Sequence, residues 1–205
     1  MLSTSPDLSP RQTWQAERRA AALARFDARI PPRYRRAIDL PAPVREWATA
    51  GPAAGAGLFL TGSIGVGKTH TAWMAARTWL AAAVDATDRG TPVVTWWRST
   101  ALFDALRPEG DNPRGVTADC QTAGLLVLDD LAAARVSPSG WTQERLYELV
   151  DERYTQQRPV LITSDVLPID LGPVVGPRVS SRLAEMCAGG VHRMQGEDRR
   201  RGGAR

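Results

Sequence analysis

Gly62-Ser63-Ile64-Gly65-Val66-Gly67-Lys68-Thr69 is the stretch that decides how this chain reads. It spells G-x-x-x-x-G-K-[ST], the Walker A pattern. A short apolar run, Gly57 to Thr61, precedes it and reads as a strand. Thr69 to Ala83 follows, with Ala72, Ala76, Leu80 and Ala83 at helical spacing. Strand, glycine loop and helix are the context the pattern requires. Glycines let backbone N–H groups curl around phosphate oxygens with no Cβ in the way. The helix N-terminus adds the positive end of its dipole. Lys68 would reach the β- and γ-phosphates, and the Thr69 hydroxyl would bind Mg²⁺. The eight loop residues and the adjoining His70 are the expected nucleotide contacts. ATP and Mg²⁺ are the expected ligands.

Composition sharpens the case for Lys68. The chain has 26 basic residues, and Lys68 is its one lysine. Lysine is a compact point charge, whereas arginine is a planar fork. A chain that uses arginine everywhere else keeps lysine where the fork does not serve. The net charge is only +4, so the arginine count reads as coding bias and not as a nucleic-acid signature. Hydrophobic residues at 43 % and charged residues at 23 % place the chain among soluble globular proteins. Its 205 residues suffice for one domain with its own core. No apolar run approaches the roughly 20 residues of a membrane span, and no signal core opens the chain. The expectation is a cytoplasmic protein that does not engage membranes. Cys120 and Cys187 form neither a disulfide framework nor a zinc site and read as buried, reduced thiols.

A nucleotide–magnesium site also needs a carboxylate from a neighbouring strand. Leu125-Leu126-Val127-Leu128-Asp129-Asp130 supplies it. Four apolar residues make a buried strand, and the acids emerge at its C-terminal end, where open α/β sheets bind ligands. Asp129 is the expected Mg²⁺ residue, and Asp130 would polarise the attacking water. Other strands are expected at Pro92–Trp97, Pro159–Asp165 and Val191–Met194. Helices are expected at about 139–157, with Leu146, Leu149, Val150 and Tyr154 on one face, and at Pro177–Cys187. Alternating strand and helix predicts a parallel sheet with helices on both faces.

In this order the motifs resemble the DnaC/IstB-type AAA+ ATPases, a compact branch of helicase loaders and transposition helpers. Ile30-Pro31-Pro32-Arg33-Tyr34-Arg35 is similar to the linker before the first strand. Gly62 to Thr69 is similar to Walker A and Leu125 to Asp130 to Walker B. Glu144 to Tyr154 is similar to the helix after it, and Arg158 to Ser164 to the sensor 1 strand. Arg178-Val179-Ser180-Ser181-Arg182-Leu183 resembles box VII, and Gly196 to Arg200 the closing segment. The resemblance covers about residues 30 to 200. It implies an α/β P-loop NTPase of the AAA+/ASCE class, without a C-terminal helical lid domain. It divides the chain into a flexible segment and basic helical arm (1–29), an ATPase domain (30–196) and a basic tail (197–205).

The resemblance implies roles as well. Arg182 would be an arginine finger, acting on nucleotide held by a neighbouring subunit of an ATP-bound homo-oligomer. Arg178, one turn away, would hold the interface or the nucleotide. Lys68, Asp130 and Arg182 are thus the expected catalytic set. Two positions depart from the family pattern. Asp165 stands where sensor 1 usually offers Asn, and an ionised Asp only accepts hydrogen bonds; Ser164 is the alternative donor. Asp130 replaces the commoner Glu and is shorter by one methylene, which predicts slow or partner-dependent hydrolysis.

The implied function is an ATPase that loads or remodels a hexameric replicative helicase on single-stranded DNA. Its rivals are an IstB-like helper acting on duplex DNA with a transposase, and a nucleotide-gated adaptor with little hydrolysis. Arg11, Arg18, Arg25 and Arg29, with Trp14, form a face of the arm that suits a partner or a solvated surface equally. Leu23, Phe26 and Ile30 lie on the other face. Arg98, Arg107 and Arg114 surround the segment that faces single-stranded DNA in the family. Trp96 and Trp97 read as core more than as base platforms.

Overall fold

The computed structural model describes residues 9–55, 57–88, 90–133, 141–196 and 198. Residues 1–8 of the flexible start expected at 1–9, the proposed helix start near Ser139 and, Asp198 apart, the basic tail at 197–205 lie outside the described residues, whereas Ser9 is described and caps the first helix.

Five strands, β1 (Leu58–Thr61), β2 (Val94–Arg98), β3 (Leu125–Asp129), β4 (Val160–Ser164) and β5 (Val191–Arg193), form one parallel sheet in the order β2-β3-β4-β1-β5. The eight described α-helices are α1 (Pro10–Arg29), α2 (Ala42–Ala50), α3 (Lys68–Asp85), α4 (Ser99–Leu106), α5 (Pro113–Thr122), α6 (Trp141–Thr155), α7 (Gly172–Val175) and α8 (Pro177–Met186). Strand side chains alternate between the two faces of the sheet. Leu58, Leu60, Leu125, Val127 and Leu161 join a core with α1, α2 and α3. Phe59, Leu126, Leu128, Val160 and Ile162 join a second core with α4 to α8. Both faces of the sheet are covered, as the unbroken apolar runs of β1, β3 and β4 require.

The expected topology needs one correction. The acidic strand β3 is not the neighbour of the loop strand β1: β4 lies between them. Thr163 of β4 is thereby placed between the glycine loop and the two aspartates. The helices α2, α4 and α5 were not expected from the sequence. α4 starts directly on the last residue of β2 with no side-chain cap, so no start signal marks it. Asn112 caps α5 by accepting from the Gly115 N–H, but Pro108 to Gly115 reads as loop by composition.

The arm is a docked helix. Ser9 and Gln12 close its start with a reciprocal capping box. Ala22, Phe26 and Ile30 are buried, and Phe26 meets the Trp73 ring at 5.5 Å. Trp73 in turn stacks on Trp96 at 3.6 Å, so Trp96, partly buried, packs against the core. Asp27 accepts two hydrogen bonds from Arg77, at 2.7 and 2.9 Å. Much of the arginine face is used inside the chain. Arg11 pairs with Asp88, Arg18 donates to the carbonyls of Thr87 and Gly90, and Arg29 donates to the Val94 carbonyl. Arg25 stays exposed, and Trp14 is 47 % exposed beside Arg18.

Cys120 and Cys187 are buried and unpaired. Burial pushes each thiol up to about 12. An unfolded thiol ionises near 8.5, so the thiols favour the folded state below that pH. Their contribution is lost as pH rises from there toward 12. Ellman's reagent at pH 8 is expected to leave both thiols unlabelled in the native protein and to label both in guanidinium. Labelling at equal rates in the two states would contradict the burial.

A candidate nucleotide-binding site

The glycine loop runs from the end of β1 to the start of α3. Gly62, Gly65 and Gly67 all take positive φ, which explains the residue type at each turn of the loop. Two of them also admit close neighbours. A Cβ on Gly62 would stand 2.5 Å from the Met194 carbonyl oxygen, and one on Gly65 only 1.7 Å from an Asp198 carboxylate oxygen. The segment after β5 therefore lies against the loop. Lys68 Nζ donates to the carbonyls of Gly62 (2.7 Å) and Ser63 (3.0 Å), folding its stem back along the loop.

Beside the loop, Thr69 Oγ1 donates to Asp129 Oδ1 at 2.9 Å. The two expected metal residues are thus in contact although they come from α3 and β3. Asp129 is 3 % exposed. Burial raises its carboxyl above the usual range, and hydrogen bonds from Thr163 and Thr69 oppose that. Asp130 is exposed and takes φ +59°, a left-handed conformation that Asp tolerates at a cost of order 1 kcal/mol.

These groups line a cavity of about 450 Å³. Ile64, Gly65, Gly67, Lys68, Thr69 and His70 form one wall, and Asp129, Asp130, Thr163 and Asp165 another. Its volume suits a small-molecule ligand, and the polarity of its lining suits a charged one. The fit for a nucleoside polyphosphate with Mg²⁺ rests on the donor set: a glycine-turned loop with Lys68, Arg33 and Arg98 around it for phosphate, and a Thr–Asp pair for a hard cation.

The remaining expected residues are placed as follows. Ser164 is fully buried and its Oγ accepts from the Val166 N–H, so it does not reach the cavity, whereas Asp165 does. Gly62, Ser63 and Val66 shape the loop without lining the cavity. Arg98 lines this cavity, at the β2 position paired in register with Asp129. Arg107 is exposed and pairs with Asp104. Arg178 and Arg182 are outside the cavity, in a shallow groove with Tyr154, Pro177 and Ser181. There Arg182 pairs with Asp151 at 2.6 Å and lies 4.6 Å over the Tyr147 ring. Arg178 is 5.9 Å from the same ring.

Five cavity residues carried no site assignment from the sequence: Arg33, Tyr34, Thr163, Ala132 and Ala133. Arg33 and Tyr34 arrive from the turn after α1, and Tyr34 meets the His70 ring at 5.8 Å. His70 Nε2 is 2.7 Å from the Arg36 carbonyl oxygen, which ties that turn to α3. Thr163 donates to Asp129 Oδ1 at 2.8 Å and accepts from the Asp130 N–H at 2.8 Å. Its place on a strand between the two motifs is a property of sheet order, which the local sequence does not carry.

No protein-family model and no curated protein matches the chain. Solved structures do. The DnaC helicase loader matches at TM-score 0.53 and 22 % identity, over 94 % of this chain and 95 % of that one. DnaI matches at TM-score 0.55 and 18 % identity, over 96 % and 88 %. The replication initiator DnaA, bound to AMPPCP and single-stranded DNA, matches at TM-score 0.55 and 22 % identity, over 76 % of this chain. The chain spans only 45 % of the length of that DnaA structure. Its five-stranded parallel sheet with helices on both faces is thus the P-loop AAA+ fold, in a form similar over nearly its whole length to the DnaC helicase loader and DnaI.

Proposed function

We propose that the protein is a Mg²⁺-dependent ATPase that loads or remodels a replicative helicase on single-stranded DNA. The observation that carries the reading is the Thr69–Asp129 contact at the mouth of the glycine loop, which joins the two halves of a nucleotide–metal site across the sheet. Likeness to the DnaC helicase loader and to DnaA with AMPPCP and single-stranded DNA supports the biological setting.

Each residue then has a role. Loop N–H groups and Lys68 hold the phosphates. Thr69 and Asp129 hold Mg²⁺, which when bound would neutralise charge on the phosphate oxygens. Asp130 orients a water and draws its proton. Asp165 accepts a hydrogen bond near the same oxygens. Tyr34 and His70 flank the cavity on the base side. Arg182 and Arg178 stand outside their own cavity, which supports action on the nucleotide of a neighbouring subunit. In the single chain Asp151 and Tyr147 hold Arg182, and assembly would exchange that ion pair for one with phosphate.

Native mass of the protein mixed with its host's replicative helicase tests the reading. A complex is expected with a non-hydrolysable ATP analogue and a short single strand, and none without nucleotide. No complex with nucleotide bound would refute the loader assignment. The trans arrangement has its own test. Arg182→Ala is expected to lower turnover by about 10³-fold, as is Lys68→Ala. A mixture of the two should regain activity, because one supplies the finger and the other the loop. A silent mixture would place the finger in cis or nowhere.

A further inference from the structure

We propose that Thr163 is the positioning residue of this site: its one hydroxyl sets both the backbone of Asp130 and the carboxylate of Asp129. The inference rests on the ATPase reading above.

Thr163 is buried on β4, between the loop strand and the acidic strand. A hydroxyl carries one hydrogen. Thr163 gives it to Asp129 Oδ1 and must then accept at its own oxygen, where the Asp130 N–H arrives. The polarity of the chain is fixed: Asp130 N–H to Thr163 to Asp129. Thr69 donates to the same Oδ1 from the other side. Two donors on two elements thus fix that oxygen, and Oδ2 accepts no hydrogen bond among the described residues. The carboxylate is locked through one oxygen and open through the other.

Asp130 is held by both of its backbone groups. Its N–H goes to Thr163, and its carbonyl accepts from Ser99 Oγ at 2.6 Å. Ser99 is fully buried and is the first residue of α4. A left-handed non-glycine residue persists only where its surroundings over-determine it. Here β4 and α4 supply one tether each. The Asp130 carboxylate, which has no hydrogen-bond or ion-pair partner among the described residues, is therefore aimed by its backbone. Threonine suits the post because its branched Cβ restricts χ1. A serine keeps the hydroxyl but rotates more freely, and a valine keeps the shape without the hydroxyl.

Thr163→Val and Thr163→Ser in the full chain test this. In protein free of nucleotide and metal, amide exchange of Asp130 followed by NMR should quicken about tenfold or more in Thr163→Val and stay near wild type in Thr163→Ser. In turnover, Thr163→Val should lower kcat about 30-fold while affinity for a non-hydrolysable ATP analogue changes less than about threefold. Thr163→Ser should recover most of that loss. A kcat for Thr163→Val equal to wild type, or unchanged Asp130 exchange, would overturn the proposal and leave the ATPase reading standing. A wild-type protein that binds ATP but never turns it over would overturn the ATPase reading, while the exchange data still decide whether Thr163 sets Asp130. Should Thr163→Val fail to fold, Ser99→Ala cuts the other tether of the same backbone. The same split between kcat and affinity is then expected, and its absence overturns the proposal.

Discussion

Lys68→Ala is expected to weaken ATP binding by at least about 100-fold, equivalent to about 3 kcal/mol, while leaving the fold intact. The estimate follows from the strength of charge-assisted hydrogen bonds, about 1.5 to 3 kcal/mol each. Lys68 opens α3 and is only partly buried. In this structure its ammonium rests on the carbonyls of Gly62 and Ser63, two weak acceptors that phosphate oxygens would replace. Those carbonyls sit in a loop already turned by three positive-φ glycines, so the loop does not need the lysine to form. A fluorescent ATP analogue and a melting curve on the same samples separate the two effects. Lys68→Arg is the more telling variant. It keeps the charge and matches the residue this chain uses at every other basic position, yet the planar fork is broader than an ammonium in a tight loop. A loss of about tenfold or more is expected. Wild-type affinity in Lys68→Arg would mean that the single lysine has no special reason to be there.

The largest loss of stability is expected at Arg153, which does not line the glycine-loop cavity. Arg153 is 0 % exposed on α6. Its Nη1 donates to the carbonyls of Cys120 (2.7 Å) and Ala123 (2.9 Å), and its Nη2 to that of Pro159 (2.6 Å). One guanidinium thus closes the end of α5 and the entries to β3 and β4. Burial, with Arg158 nearby, lowers its proton affinity to about 10, so it stays charged through neutral pH. Arg153→Ala removes the guanidinium from the Cys120, Ala123 and Pro159 carbonyls and opens a cavity the size of the side chain. Among the described residues Pro159 alone of the three keeps a backbone donor, the Leu126 N–H at 3.4 Å. A loss of about 3 to 5 kcal/mol is expected. That is a large share of the 5 to 15 kcal/mol of an ordinary domain. Arg153→Lys should recover less than half, because one ammonium cannot meet carbonyls on both sides of the helix end. Urea unfolding at pH 7 measures both. A loss under about 1 kcal/mol for Arg153→Ala would show that the carbonyls find other partners.

Both cases bear on what a sequence carries. Lys68 was legible because its motif is local: the glycines, the lysine and the threonine that define the loop fall within eight residues. The Asp129–Asp130 doublet was legible for the same reason, as the end of an apolar run. Arg153 was not. It sits in a helix rich in charged residues, and nothing in Glu152-Arg153-Tyr154 separates a buried arginine from a solvated one. The periodicity picked out Leu146, Leu149 and Val150, which are buried, and Tyr154, which is only partly so. The burial of Arg153 follows from where the end of α5 and the starts of β3 and β4 bring their carbonyls together around one guanidinium.

The sequence by itself determined the chemistry of the loop, the acidic strand and the alternation of strand and helix, because each is written in residues close together in the chain. Tertiary structure decided which strand lies between the two motifs, and so made Thr163 a bridge and turned Ser164 into the core. It placed Arg98 in the lining of the glycine-loop cavity, since parallel pairing sets it beside Asp129. It gave Arg11, Arg18 and Arg29 partners on their own chain. Sheet order and helix docking are set by the summed burial of many side chains, and a pattern read within one segment does not contain that sum.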